Sequence, residues 1–202
     1  MDYSYWLQLF IRELRQTGPL EWASVGFAVA EVLLARSNKV WLYPTGIISV
    51  ILGSYLFLKA GLYAESALNI YYLVMSVYGW WAWVHRSNNS PLQITKANGR
   101  EWLITTGITG ISFVVLYFIL HRFTDSTVPF FDAFVSATAW AGMWLLARRK
   151  LENWLLLNIS NAVAVPLLFY KRLPLYALLT IFLFVIAIQG YYKWKKTIHE
   201  KN

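Results

Sequence analysis

At 202 residues, with 58% hydrophobic, 18% aromatic and only 14% charged side chains, the chain is too apolar for a soluble domain, where about a quarter of residues carry charge. The absence of cysteine excludes disulfides and thiolate chemistry. A net charge of +8 is what loop lysines and arginines give a membrane protein, and nucleic-acid binding is not expected.

Residues 1–19 do not read as a signal peptide, because Arg12, Glu13 and Arg15 interrupt them and no long apolar core is present. Trp6, Leu9 or Phe10, and Leu14 can share one helical face, which suits an interfacial helix and a frayed terminus about equally. Seven segments then approach the roughly 20 apolar residues that cross a bilayer: 20–36, 40–58, 63–84, 102–120, 130–147, 154–170 and 174–193. The first is short and carries Glu31; the last is the strongest.

Two stretches repeat. Ala35-Arg36, Trp41-Leu42, Phe57, Leu62-Tyr63-Ala64 and Tyr78-Gly79-Trp80-Trp81-Ala82-Trp83 return as Ala147-Arg148, Trp154-Leu155, Tyr170, Leu175-Tyr176-Ala177 and Gly190-Tyr191-Tyr192-Lys193-Trp194. The offset is 112 at the first pair, 113 through the middle and 111 at the closing Gly and Trp. The expected organisation is an interfacial segment (1–19), a first three-helix repeat (20–84), a cytoplasmic loop (85–101), a linking transmembrane helix (102–120), a second repeat (130–193) and a basic cytoplasmic tail (194–202). Twelve Lys and Arg fall on the side holding the C-terminus and six on the other, which predicts an N-terminus outside and a C-terminus in the cytoplasm. The extra fourth span keeps both repeats in one orientation, so the fold class is an all-α integral membrane bundle of seven transmembrane helices. Its arrangement is 3+1+3, with the parallel repeats of sugar-transporting SWEET proteins.

Polar groups inside hydrocarbon need partners or a cavity. Trp154, Asn158 and Asn161 lie on one face of the sixth span, ahead of Pro166. Glu65, Asn69, Tyr72, Ser76 and Trp80 form a stripe on the third, and Trp41, Thr45 and Ser49 one on the second. At the 113 offset Trp41 matches Trp154, Thr45 matches Asn158 and Ser76 matches Gln189. The candidate substrate-binding residues are therefore Trp154, Asn158, Asn161, Asn69, Tyr72, Gln189, Trp41, Thr45 and Ser76. Glu31 and Asp132 are expected to pair helices or cap them. No phosphate loop, metal motif or nucleophile elbow occurs, so neither an enzyme nor a cofactor is expected.

These motifs, with Asn38 to Ser49, Gly61 to Glu65, Tyr71-Tyr72 and Glu152-Asn153-Trp154, resemble the Pnu family of bacterial vitamin transporters over residues 20–196. The resemblance implies a usually trimeric protein of the cytoplasmic (inner) membrane. It passes its vitamin by facilitated diffusion, and a cytoplasmic kinase traps the product by phosphorylation without needing to touch it. Nicotinamide riboside is the first expectation; thiamine, riboflavin or deoxynucleosides are carried by related members. The nicotinamide riboside members resemble W-x-x-W-x-x-x-N/D on the sixth span, and here Leu157 stands where the second Trp would be. A different class, a non-transporting sensor or scaffold of the same fold, would show no substrate flux.

Overall fold

The computed structural model describes residues 3–59, 63–85 and 93–200. Apart from one isolated bridge between Thr95 and Lys150, every element among them is a helix: α1 (Tyr3–Gln16), α2 (Pro19–Arg36), α3 (Leu42–Lys59), α4 (Tyr63–His85), α5 (Gly99–Phe123), α6 (Pro129–Ala147), α7 (Asn153–Tyr170) and α8 (Pro174–His199). Helices α2 to α8 sit on the seven expected segments, and α5 and α8 run on past them. Proline opens α2, α6 and α8, where its fixed φ suits a helical start and its missing N–H deprives no carbonyl of a partner. Helix α5 begins with a capping box in which Asn98 and Glu101 exchange side-chain and backbone bonds.

Among the described residues, α3, α5, α6, α7 and α8 are long and apolar enough to cross a membrane, and α1 with α2, bent by 103°, could form a sixth such span. The protein is a multi-pass membrane protein. Helix packing closes a ring: α2 touches α3, α3 touches α4, α4 touches α6, α6 touches α7, α7 touches α8, and α8 returns to α2. Helix α5 packs outside the ring on α6, and α1 lies against α8.

Contacts recur around the ring at a spacing of 111. Asn38 and Arg149 both take φ 54° just beyond α2 and α6. Ser49 donates to the Ser24 carbonyl at 3.0 Å, and Ser160 donates to Val135 at 2.8 Å. Tyr43 stands edge-on to Trp83, and Trp154 edge-on to Trp194, with centroids 5.2 and 5.6 Å apart. These contacts correct the expected register in the middle of the repeat. Trp154 is matched by Tyr43 rather than Trp41, Asn158 by Ile47 and Gln189 by Tyr78. The shared Trp at 41 and 154 attracts an alignment that the packing does not follow.

Two glycines make these aromatic contacts possible. A Cβ on Gly190 would lie 2.7 Å from the Trp154 ring, and one on Gly79 would strike the ring of Tyr43. Alanine ordinarily favours a helix over glycine by about 1 kcal/mol. At these two positions the overlap should win, so Gly79→Ala and Gly190→Ala each lose about 1–3 kcal/mol. Gly107→Ala on α5, which meets nothing within 4 Å, should be neutral or stabilising. Thermal unfolding in detergent tests all three, and a stabilised Gly190→Ala would contradict the packing described.

Candidate functional site

A helix in a ring has two flanks on neighbours, one face to lipid and one to the interior. On α2 the outward residues are Trp22 and Gly26, and Glu31 lies half a turn from them, facing inward. On α4 the exposed Ile70, Val74 and Val77 mark the lipid face and Tyr72 lies opposite. On α7, exposed Leu155 and Ile159 place Leu157 and Asn161 toward the interior. Glu31 and Tyr72 each keep partial accessible surface on a face turned away from lipid, as groups lining an internal space do.

Each lining residue has its own support. Glu31 is seated against Gly46, whose absent side chain leaves room for the carboxylate; a Cβ there would be 2.6 Å from it. Tyr72 lies edge-on to Trp140, with centroids 6.5 Å apart, and Tyr71 stacks on the same indole at 4.3 Å. The Tyr71 hydroxyl donates to the Trp140 carbonyl at 2.9 Å, fixing α4 on α6. The Asn158 side-chain oxygen is buried with no hydrogen-bond partner among the described residues. Asn69, half-buried, approaches Gly53 of α3.

One end of the interior is floored by an aromatic layer of Tyr43, Trp83, Trp154 and Trp194. Trp83 of α4 donates its indole N–H to the Ala147 carbonyl at 3.2 Å, and Trp194 of α8 donates to the Ala35 carbonyl at 3.1 Å. Each bond joins one three-helix set to the other. The Arg149 guanidinium lies 3.9 Å from the centre of the Trp83 ring, and burial lowers its pKa from the ordinary value.

The structure divides the candidate residues named from sequence. Tyr72 and Asn161 face the interior, and Asn158 and Asn69 flank it. Trp154 is only 1% exposed and forms part of the floor, packed on Gly190 and Trp194. Trp41 is 66% exposed and outside the ring. Thr45 turns its hydroxyl onto the Trp41 and Leu42 carbonyls. Gln189 is exposed and accepts from Arg36. Ser76 is fully buried with no partner for its hydroxyl among the described residues. The side chain of Glu65 lies outside the described residues. Asp132 pairs Lys171 at 2.6 Å, tying α6 to the end of α7. Glu101 pairs Lys150 at 3.0 Å and Arg148 at 3.4 Å at the floor end. Sequence reasoning left out Glu31 as a lining residue and met Tyr43 and Tyr71 only inside the family motifs, without a place in the site; the half-turn between Trp22 and Glu31 was the available signal.

The family model described as nicotinamide mononucleotide transporter matches residues 18–196. The nicotinamide riboside transporters PnuC of Escherichia coli K12 and Shigella flexneri are each 25% identical over 212 residues, covering 91% of this chain and 89% of theirs. A crystal structure of the vitamin B3 transporter PnuC superposes with a TM-score of 0.72 at 20% identity, over 98% of this chain and 90% of that one. That likeness establishes the fold.

The two indole bonds across the ring generate a prediction. Trp83→Phe takes the indole donor from the Ala147 carbonyl, at a cost of about 1–3 kcal/mol, and Trp194→Phe costs less, because the Ala35 carbonyl keeps the Asn38 N–H. Thermal unfolding in detergent should show both losses, and Trp80→Phe, at an exposed position, should show none.

Proposed function

This chain belongs to the nicotinamide mononucleotide transporter family, and from that premise we propose that it carries nicotinamide riboside into the cell. It is a transporter and not an enzyme. The observation that carries the substrate reading is the convergence of Tyr72, Asn161 and Glu31 on the interior of a helix ring. An aromatic face attracts the cationic nicotinamide ring, and Asn161, Asn158 and Asn69 are suited to ribose hydroxyls. The names of the two bacterial relatives support the same choice. Leu157, which stands where the nicotinamide riboside members have a second Trp, packs toward Gly142 of α6, so on this reading the aromatic face comes from Tyr72.

The finer reading has seven spans, α2 to α8, arranged 3+1+3 with parallel repeats in the manner of SWEET proteins. Support comes from the recurrence of ring contacts at 111 and from α5 standing outside the ring. Helix α1 lies at the interface, the N-terminus is outside and the C-terminus is cytoplasmic, as the Lys and Arg distribution favours. The protein works as a homotrimer in the bacterial inner membrane. Transport is facilitated diffusion, and a cytoplasmic kinase retains the substrate by phosphorylating it. The floor of Tyr43, Trp83, Trp154 and Trp194 is the cytoplasmic gate, and the two halves must separate there to release substrate.

Flux into liposomes tests this. Purified protein should equilibrate nicotinamide riboside saturably with no ion gradient, and thiamine should not saturate it. Tyr72→Ala and Asn161→Ala should each lower binding by roughly tenfold, as loss of about 1–3 kcal/mol of stacking or hydrogen bonding implies. Trp41→Ala should leave it unchanged. Absence of saturable flux from well-folded protein would leave the sensor or scaffold reading in its place.

A further inference from the structure

The two three-helix sets differ most at one matched junction. In the first, α2 presents Glu31 to Gly46 of α3. In the second the sizes are exchanged: α6 presents Gly142, and Leu157 of α7 fills the space, its side chain 3.0 Å from where a Cβ on Gly142 would be. A hydrocarbon side chain therefore suffices to pack this junction, and the charge of Glu31 is not needed for packing. No hydrogen bond or ion pair to Glu31 is found among the described residues, although Lys171 meets Asp132 and Lys150 meets Glu101. The carboxylate sits against Gly46, one turn along α3 from Tyr43 of the floor, and Tyr72 faces the same interior from α4. An ionised carboxylate in a membrane interior is costly without a counter-charge.

We infer that Glu31 is the charge-selecting residue of the transport site: its carboxylate receives the positive charge of the substrate's aromatic ring and repels anionic, phosphorylated forms of the same molecule. The inference rests on the nicotinamide riboside reading and adds its selectivity. A cationic ring laid against Tyr72 brings its charge to Glu31, and no second carboxylate from the other set competes, because Gly142 occupies the matched place. A phosphomonoester would bring two negative charges into the same space, so a product phosphorylated in the cytoplasm would not flow back.

The test compares nicotinamide riboside with its reduced dihydro form, which keeps the ribose and carboxamide but carries no charge. Binding to full-length protein in detergent is followed by tryptophan fluorescence, with helicity checked by circular dichroism. Wild type should bind the cation more tightly than the neutral form. Glu31→Gln should weaken the cation by roughly ten- to hundredfold and leave the neutral form within about twofold. Glu31→Asp, which keeps the charge, should retain a preference for the cation and shows whether a loss in the Gln variant is electrostatic. If Glu31→Gln weakens both forms equally, or neither, the residue does not select charge and the inference is overturned while the transport reading stands. If wild type binds neither form, the transport reading itself fails.

Discussion

The ring depends on two indole hydrogen bonds that its halves exchange. Lipid is as apolar as the helix surfaces it bathes, so burial of hydrocarbon gives little reason for α4 to choose α6, or α8 to choose α2. Carbonyls in the last turn of a helix do give a reason, since they lack partners along their own helix; Ala147 offers such a carbonyl, and that of Ala35 takes the indole beside the Asn38 N–H. Trp83 reaches the last turn of α6 and Trp194 the last turn of α2. Each indole can reach because Tyr43 or Trp154 supports its edge. Those rings in turn need the bare backbone of Gly79 and Gly190. The chain from glycine to ring to indole to carbonyl therefore fixes both the closure of the ring and the place of its floor.

The helices were legible because apolar length is a local signal. The register was only partly so. The closing Gly and Trp already stood 111 apart in the sequence, and that spacing governs the structure; the 113 offset came from chance matches, Trp41 with Trp154 and Leu62-Tyr63-Ala64 with Leu175-Tyr176-Ala177 among them. Tyr43 was the true counterpart, hidden because one aromatic replaced another. Of the three left-handed positions, Asn38 is a residue that accepts such a conformation readily, whereas Arg149 and Arg172 gave no warning.

The chemistry of the candidate site was legible, and its geometry was not. Carboxamides and aromatics on the third and sixth spans pointed to an interior, and Tyr72 and Asn161 face it. Asn158 and Asn69 flank it, and Trp41, Thr45, Ser76, Gln189 and the packed Trp154 do not face it, because a membrane helix surrounded by apolar groups on three sides gives weak evidence about which face is inward. Trp41 and Gln189 lie at the rim, where aromatic and polar residues meet headgroups. Thr45 satisfies its hydroxyl on its own helix, as threonine commonly does. Only the ring of contacts distinguishes these cases.

A frame with matched contacts poses a problem for recognition. Two similar halves present similar surfaces, but the proposed substrate has a flat charged end and a hydroxylated end. Discrimination between those ends requires the halves to differ inside while agreeing at the floor. The exchange of Glu31 and Gly46 for Gly142 and Leu157 meets that requirement. A large side chain meets a glycine in both junctions, so the helices pack alike, with a carboxylate in one three-helix set and hydrocarbon in the other. Tyr72 with its Trp140 support adds aromatic surface between α4 and α6, and Asn161 offers amide groups from α7. The polarity of the interior thus comes from substitutions that leave the packing frame intact, so binding chemistry can vary while the fold is preserved.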